Sequence, residues 1–184
     1  MREGATYHTR PMSEAWSQLK DIDRLADGRV DLDFAIPLSA FPRLPPQPAE
    51  SGAAIEGFAQ FRREEGLAVA ELTVRGSVQL TCQRCLGPMQ QPVEGHARIA
   101  LVASDAEADR VPPQFEPVRA SEGRLRLRDL VEEEVLLALP IVPLHESIED
   151  CAPQAQAALA PEARAPEADG TQRPFAGLSE LLKR

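Results

Sequence analysis

Hydrophobic and polar positions first alternate at Val30, Leu32, Phe34 and Ile36, with Asp31, Asp33 and Ala35 between them. A two-residue period is the mark of a strand with one buried face. Residues 55–62 and 67–80 carry the same signal and predict two strands joined around Glu64-Glu65-Gly66. In the second, Val69, Glu71, Thr73 and Arg75 take one face and Ala68, Ala70, Leu72 and Val74 the other. Gly76 marks a bend or a bulge in this long run. A further strand is expected over residues 93–103. Cys82 and Cys85 fall between these runs, in a strand–knuckle–strand setting.

Two helices are predicted. Residues 12–26 form a short one, with Ser13 as N-cap and Asp27-Gly28 as its end. Residues 129–139 form the main one: Leu127, Val131, Val135 and Ala138 line one side, with Leu130 and Leu137 beside them. Glu132, Glu133 and Glu134 stand early in it, where the helix dipole favours acids, and read as a salt-rich surface. Pro140 ends it. Residues 41–48 contain four prolines and must be a loop or extended linker. Residues 104–122 are acidic and proline-bearing and read as a surface loop, followed by a short strand in which Leu125 and Leu127 alternate with arginines.

The expected fold class is α+β. An antiparallel sheet of four to six strands, able to curl toward a small open barrel, carries one main helix packed on it. Residues 1–28 are read as a loosely ordered helical segment and 29–151 as a single domain with the cysteine knuckle. Residues 152–173, rich in Ala, Pro, Glu and Gln, are read as a flexible tether. Residues 174–184 regain apolar side chains, Phe175 and Leu178 among them, and are expected to dock on the domain or on a partner.

The formal charge of -9 opposes non-specific binding to phosphate backbones, so any RNA contact must be local. Apolar residues make up 43%, enough for one packed core. The opening twenty residues are polar, and no stretch resembles a membrane span or secretion signal, so the cytoplasm is the expected compartment and no membrane partner is expected.

In a reducing compartment, Cys82-Gln-Arg-Cys85 suggests metal or redox chemistry before a disulfide. A tetrahedral zinc needs four soft or borderline ligands, of which a Cys-x-x-Cys turn supplies two. Gly87 suits a knuckle whose backbone N–H groups bond the sulfurs. His145 and Cys151, just past the main helix, can supply the other pair. Four protein ligands leave no position for a substrate, so such a zinc would be structural. His96, on a strand near the knuckle, is an alternative to His145. Two other readings remain: a free thiol pair in a hairpin turn, and a thioredoxin-type redox site. The latter wants the pair at a helix N-terminus, and Pro88 with a strand pattern after it argues against that.

Arg124, Arg126 and Arg128 would share one face of a strand and form a basic stripe, with Arg84, Arg75 and Arg98 nearby. Such a stripe can contact phosphate. A solvated face paired with Glu132, Glu133 and Glu134 explains it equally well. Phe58 and Phe61 are the aromatics close enough to stack on bases, too few for a sequence-reading platform. No glycine-rich nucleotide loop, nucleophile elbow or histidine metal helix is present, so neither catalysis nor a small-molecule substrate is expected.

Several of these pieces together resemble one bacterial family. They are Leu80-Thr81-Cys82-Gln83-Arg84-Cys85, the run Asp129-Leu130-Val131-Glu132-Glu133-Glu134-Val135-Leu136-Leu137-Ala138-Leu139-Pro140-Ile141-Val142-Pro143, then His145, Cys151 and the closing Pro174-Phe175-Ala176-Gly177-Leu178. In order and spacing they resemble the YceD family, described as large ribosomal RNA subunit accumulation proteins. Arg173 departs from the asparagine expected before the Pro-Phe pair. The resemblance implies a non-enzymatic role in the synthesis, processing or stability of large-subunit (23S) ribosomal RNA, with a pre-ribosomal large-subunit RNA or protein as partner. It marks Cys82, Arg84, Cys85, His145 and Cys151 as the candidate functional positions. The alternatives are a regulatory protein-interaction module without RNA contact and a dithiol redox protein.

Overall fold

The computed structural model describes residues 15–48 and 52–153. In chain order the elements are β1 (Lys20–Asp21), α1 (Ile22–Asp27), β2 (Asp31–Pro37), β3 (Ala54–Glu64), β4 (Leu67–Thr81), β5 (Pro88–Val102), α2 (Asp105–Ala108), β6 (Glu116–Arg119), β7 (Arg124–Leu125) and α3 (Leu127–Ala138). The five-stranded sheet runs β2-β3-β4-β5-β6, and β1 pairs with β7 in a small ribbon. All pairs are antiparallel except β5–β6, which is parallel. The fold is therefore α+β with a mixed sheet. That sheet is open, with β2 and β6 at its edges, and does not close into a barrel.

One face of the sheet carries the core. Ala68, Ala70, Leu72, Val74 and Val78 of β4 and Val93, Ala97, Ile99 and Leu101 of β5 pack against Leu127, Leu130, Val131 and Val135 of α3. Ile22, Leu25 and Ala26 of α1 join the same core. The other face holds a smaller cluster of Val69, Ala100 and Phe115.

Several boundaries differ from the sequence pattern, each for a physical reason. Over residues 12–26, Lys20 and Asp21 pair with Leu125 and Arg124, which breaks the run. The helix starts only at Ile22, capped by Asp21, whose carboxylate accepts from the Arg24 N–H at 2.9 Å. Ser13, the expected cap, lies outside the described residues. The strand β5 begins at Pro88, five residues early, because β4 pairs with it that far, and residues 88–98 have no strand neighbour on their other side among the described residues. Proline is tolerated on such an edge.

Within residues 104–122, expected as loop, lie α2, capped by Ser104, and the edge strand β6. With Val118 as its one large apolar residue, β6 has no period-two signal. Gly76 is no bulge: Arg75↔Glu94, Gly76↔Val93 and Ser77↔Pro92 pair in unbroken register. It is a close approach, since a β-carbon there would stand 2.6 Å from Ile55 Cδ1.

The β4–β5 hairpin outruns its neighbour. Pairing with β3 stops at Arg75, yet β4 continues to Thr81. Gln47, from the proline-rich loop, covers this bare edge: its side chain accepts from the Gln79 N–H at 2.9 Å and donates to the Gln79 carbonyl at 3.2 Å. A side-chain amide here does the work of a strand. The same loop is tied to α3, because Glu132 accepts from the Arg43 N–H at 2.7 Å and Glu133 pairs with the Arg43 guanidinium. The glutamate run is thus not a uniform salt-rich surface. Glu132 is buried, Glu133 is ion-paired, and Glu134 lies over the backbone at Gly95.

Candidate metal centre

The tip of the long hairpin, residues 82–87, is the turn that carries the cysteine pair. It closes through two backbone bonds, Cys82 N–H to the Gly87 carbonyl at 2.9 Å and Leu86 N–H to the Cys82 carbonyl at 2.8 Å. Leu86 takes the left-handed conformation, with φ of 57°. Gly87, expected as the key knuckle residue, stays out of that region; its contribution is the carbonyl and room beside Cys85, whose Sγ would lie 3.4 Å from an added β-carbon.

The segment leaving α3 comes back to this tip. The Gln83 N–H donates to the Pro143 carbonyl at 2.8 Å. Two residues on, the His145 N–H donates to Cys82 Sγ at 3.5 Å, beside the Arg84 N–H at 3.4 Å. His145 Nδ1 stands 3.5 Å from Cys85 Sγ and 3.6 Å from Cys151 Sγ. The four ligand atoms of Cys82, Cys85, His145 and Cys151 all lie within 4.8 Å of one another. Two ligands of a tetrahedral zinc, with Zn–S of about 2.3 Å and Zn–N of about 2.0 Å, stand roughly 3.5–3.6 Å apart. The sulfur–imidazole distances match that spacing, so the four residues could hold a metal ion.

Electrostatics of the donors point the same way. Burial pushes the Cys82 thiol up, but N–H groups of His145, Cys85 and Arg84 and the Cys85 thiol outweigh it and hold Cys82 down at about 6. Burial, reinforced by Cys85 and Cys82, pushes Cys151 up to about 11. Three thiolates packed this closely would repel one another, and a cation among them would offset that repulsion. The donor set, three thiols and one histidine, suits zinc.

His96 is not part of the cluster. It lies on β5 with Nε2 3.1 Å from a Glu71 carboxylate oxygen. A thioredoxin-type arrangement is not what surrounds the pair either, because Cys82 and Cys85 sit in a β-hairpin turn with a third sulfur beside them.

The arginine stripe is not formed. Arg124 lies in the two-residue strand β7, Arg126 caps α3, and Arg128 is in its first turn. The helix begins at Leu127, two residues earlier than expected, so alternation no longer places the three on one face. Asp129, not the glutamate run, neutralises two of them: it bonds Arg128 at 2.8 Å and lies 3.7 Å from Arg126. Arg75 pairs with Glu56, and Arg98 pairs with Glu64 and lies 4.8 Å over the Phe115 ring. Phe61 is fully buried and offers no base-stacking face. Phe175 and Leu178 lie outside the described residues.

The family profile described as "Large ribosomal RNA subunit accumulation protein YceD" matches residues 70–182. That span holds all but the first three residues of the long hairpin, α3 and all four clustered residues. The chain belongs to the YceD family. Among curated YceD proteins, the Large ribosomal RNA subunit accumulation protein YceD of Haemophilus influenzae is 41% identical over 91 residues, 49% of this chain and 52% of that protein. The match thus spans about half the length of the YceD relative. No solved structure matches the chain.

What sequence reasoning missed are the main-chain links of the site. The Gln83–Pro143 bond and the His145 N–H to Cys82 join positions 60 or more residues apart, and no local pattern signals them.

Proposed function

We propose that this protein is a non-catalytic, cytoplasmic factor acting in the synthesis, processing or stability of large-subunit ribosomal RNA, and that it works by binding a pre-ribosomal large-subunit RNA or protein. In this proposal Cys82, Cys85, His145 and Cys151 hold one structural zinc. The metal would supply cross-linking alone, fixing the hairpin tip to the exit from α3. The observation that carries the proposal is the coincidence of YceD membership over residues 70–182 with a donor set that uses four protein ligands. Such a set has no vacant position for substrate. No described helix is long and apolar enough to cross a membrane, which is compatible with the cytoplasmic placement.

One observation favours a second reading, a protein-interaction module without RNA contact. Arg62, Arg63, Arg75, Arg98, Arg119, Arg126 and Arg128 are all ion-paired within the chain. Arg84 and Arg124 enter no ion pair among the described residues and are the proposed phosphate or partner contacts. Gradient sedimentation at low salt separates these readings. Co-migration with large-subunit precursors, with ribonuclease-sensitive cross-linking lost in an Arg84→Glu/Arg124→Glu variant, is expected for RNA contact. Co-migration without any RNA cross-link favours a protein partner. Protein remaining at the top of the gradient in growing cells contradicts the ribosomal role.

A further inference from the structure

Large apolar side chains are left exposed on the structure in one region. Of the seven exposed among the described residues, five stand on the cysteine turn or on the segment bonded to it: Leu86 at 74%, Ile141 at 101%, Val142 at 56%, Leu144 at 40% and Ile148 at 45%. The Gln83–Pro143 bond holds the two stretches side by side. Exposed apolar side chains gathered on two bonded stretches point to an interaction site.

We propose that residues 174–182 of this same chain dock intramolecularly on that surface. Length and position favour this occupant. Cys151 lies in the cluster beside the patch, so the chain that leads on to residue 174 leaves from the edge of the patch. Twenty residues, 154–173, separate residue 153 from the segment, and a flexible chain of that length would have an r.m.s. reach on the order of 25 Å. A connection of that length gives an effective concentration of order millimolar, so a contact of even millimolar affinity is about half occupied.

Composition favours it too. Beyond residue 151 the large apolar residues other than Leu159 are Phe175, Leu178, Leu181 and Leu182, spaced to share one helical face. Arg173, Lys183 and Arg184 flank them, and Glu146, Glu149 and Asp150 lie beside the patch, so charge is complementary. The family match ends at residue 182, placing patch and segment within one unit of sequence while leaving β2 and β3 outside it.

The test is methyl and aromatic NMR on the full, metal-replete chain. Expected are cross-peaks between the Phe175 ring and the methyls of Ile141, Val142 or Leu144, independent of concentration. They should vanish in Phe175→Asp, and the patch methyls should shift. Because a tail substitution alone leaves the patch intact, Ile141→Asp serves as the reciprocal variant. Ile141 is fully exposed, so its replacement leaves the core packed, and it should shift the Phe175 and Leu178 signals. Absence of cross-peaks with unchanged patch methyls overturns the proposal. So do cross-peaks that arise only between differently labelled copies, which would make the occupant a second chain.

Discussion

The main-chain N–H of Gln83 donates to the carbonyl of Pro143 at 2.8 Å, joining the hairpin tip to the helix exit before any side chain is considered. The donor cluster is therefore supported by a sheet whose core lies elsewhere, between β4, β5 and α3. Stripping the metal should free residues 82–87 and 140–151 without unfolding the sheet. Hydrogen exchange should rise selectively in those two stretches, whereas β3 and β4 amides keep their protection. Global unfolding on chelation would contradict this. Thermal stability should still fall, since a ligand present at 1,000 times its Kd stabilises by about 4 kcal/mol.

Metal affinity should rise with pH. Cys151, at about 11, keeps its proton at neutral pH in the metal-free chain, whereas Cys82, at about 6, has already lost its own. Binding must expel at least the Cys151 proton, so affinity should climb about tenfold or more per pH unit between these values. Below pH 6 the Cys82 proton must leave as well, and the dependence should steepen. Calorimetry in buffers of different ionisation enthalpy counts the protons released; a pH-independent affinity would be incompatible with the site described.

Neighbouring glutamates should differ. Glu132 is 4% exposed and receives the Arg43 N–H, so Glu132→Ala leaves a donor without its partner and should cost about 1–3 kcal/mol. Glu133 pairs with Arg43 in solvent, and Glu133→Ala should cost less than about 1 kcal/mol. Denaturant unfolding of the two variants measures the difference; equal losses would mean that the loop is not held through Glu132.

Glu134 should carry a pH signature of its own. Burial, with Glu116 adding repulsion and His96 partly offsetting it, raises its carboxyl above the ordinary 4.5. A raised folded pKa means that the protonated form stabilises the fold below about 4.5, and that this contribution is lost as pH rises through the folded value. Glu134→Gln stays neutral throughout. It should therefore be more stable than the parent at pH 7, with the advantage vanishing under acid. A stability difference independent of pH would exclude this origin.

The four clustered residues were legible in the sequence as a candidate set, because Cys-x-x-Cys carries metal-ligand spacing and His145 and Cys151 follow the main helix, though with looser spacing of their own. The long strands β3 and β4 were legible for the same reason: their alternation is local. What escaped depends on distant partners. The parallel edge strand β6 has one large apolar residue, Val118, and exists because β5 offers it an edge. The short α1 was overextended because pairing of Lys20 with Leu125 is invisible to a helical wheel. The arginine alternation was read as strand as far as Leu127, but the strand β7 stops at Leu125 because Leu127 turns inward as the first residue of α3. Burial of Glu132 follows from a loop 89 residues away in sequence.

Metal content of the full chain, purified under reducing conditions, tests the central claim most directly. About one zinc per chain is expected, bound by three sulfurs and one nitrogen in X-ray absorption. That signal should be lost in Cys85→Ser and in His145→Ala. A folded, metal-free protein with three freely titratable thiols, unable to take up zinc, would contradict it.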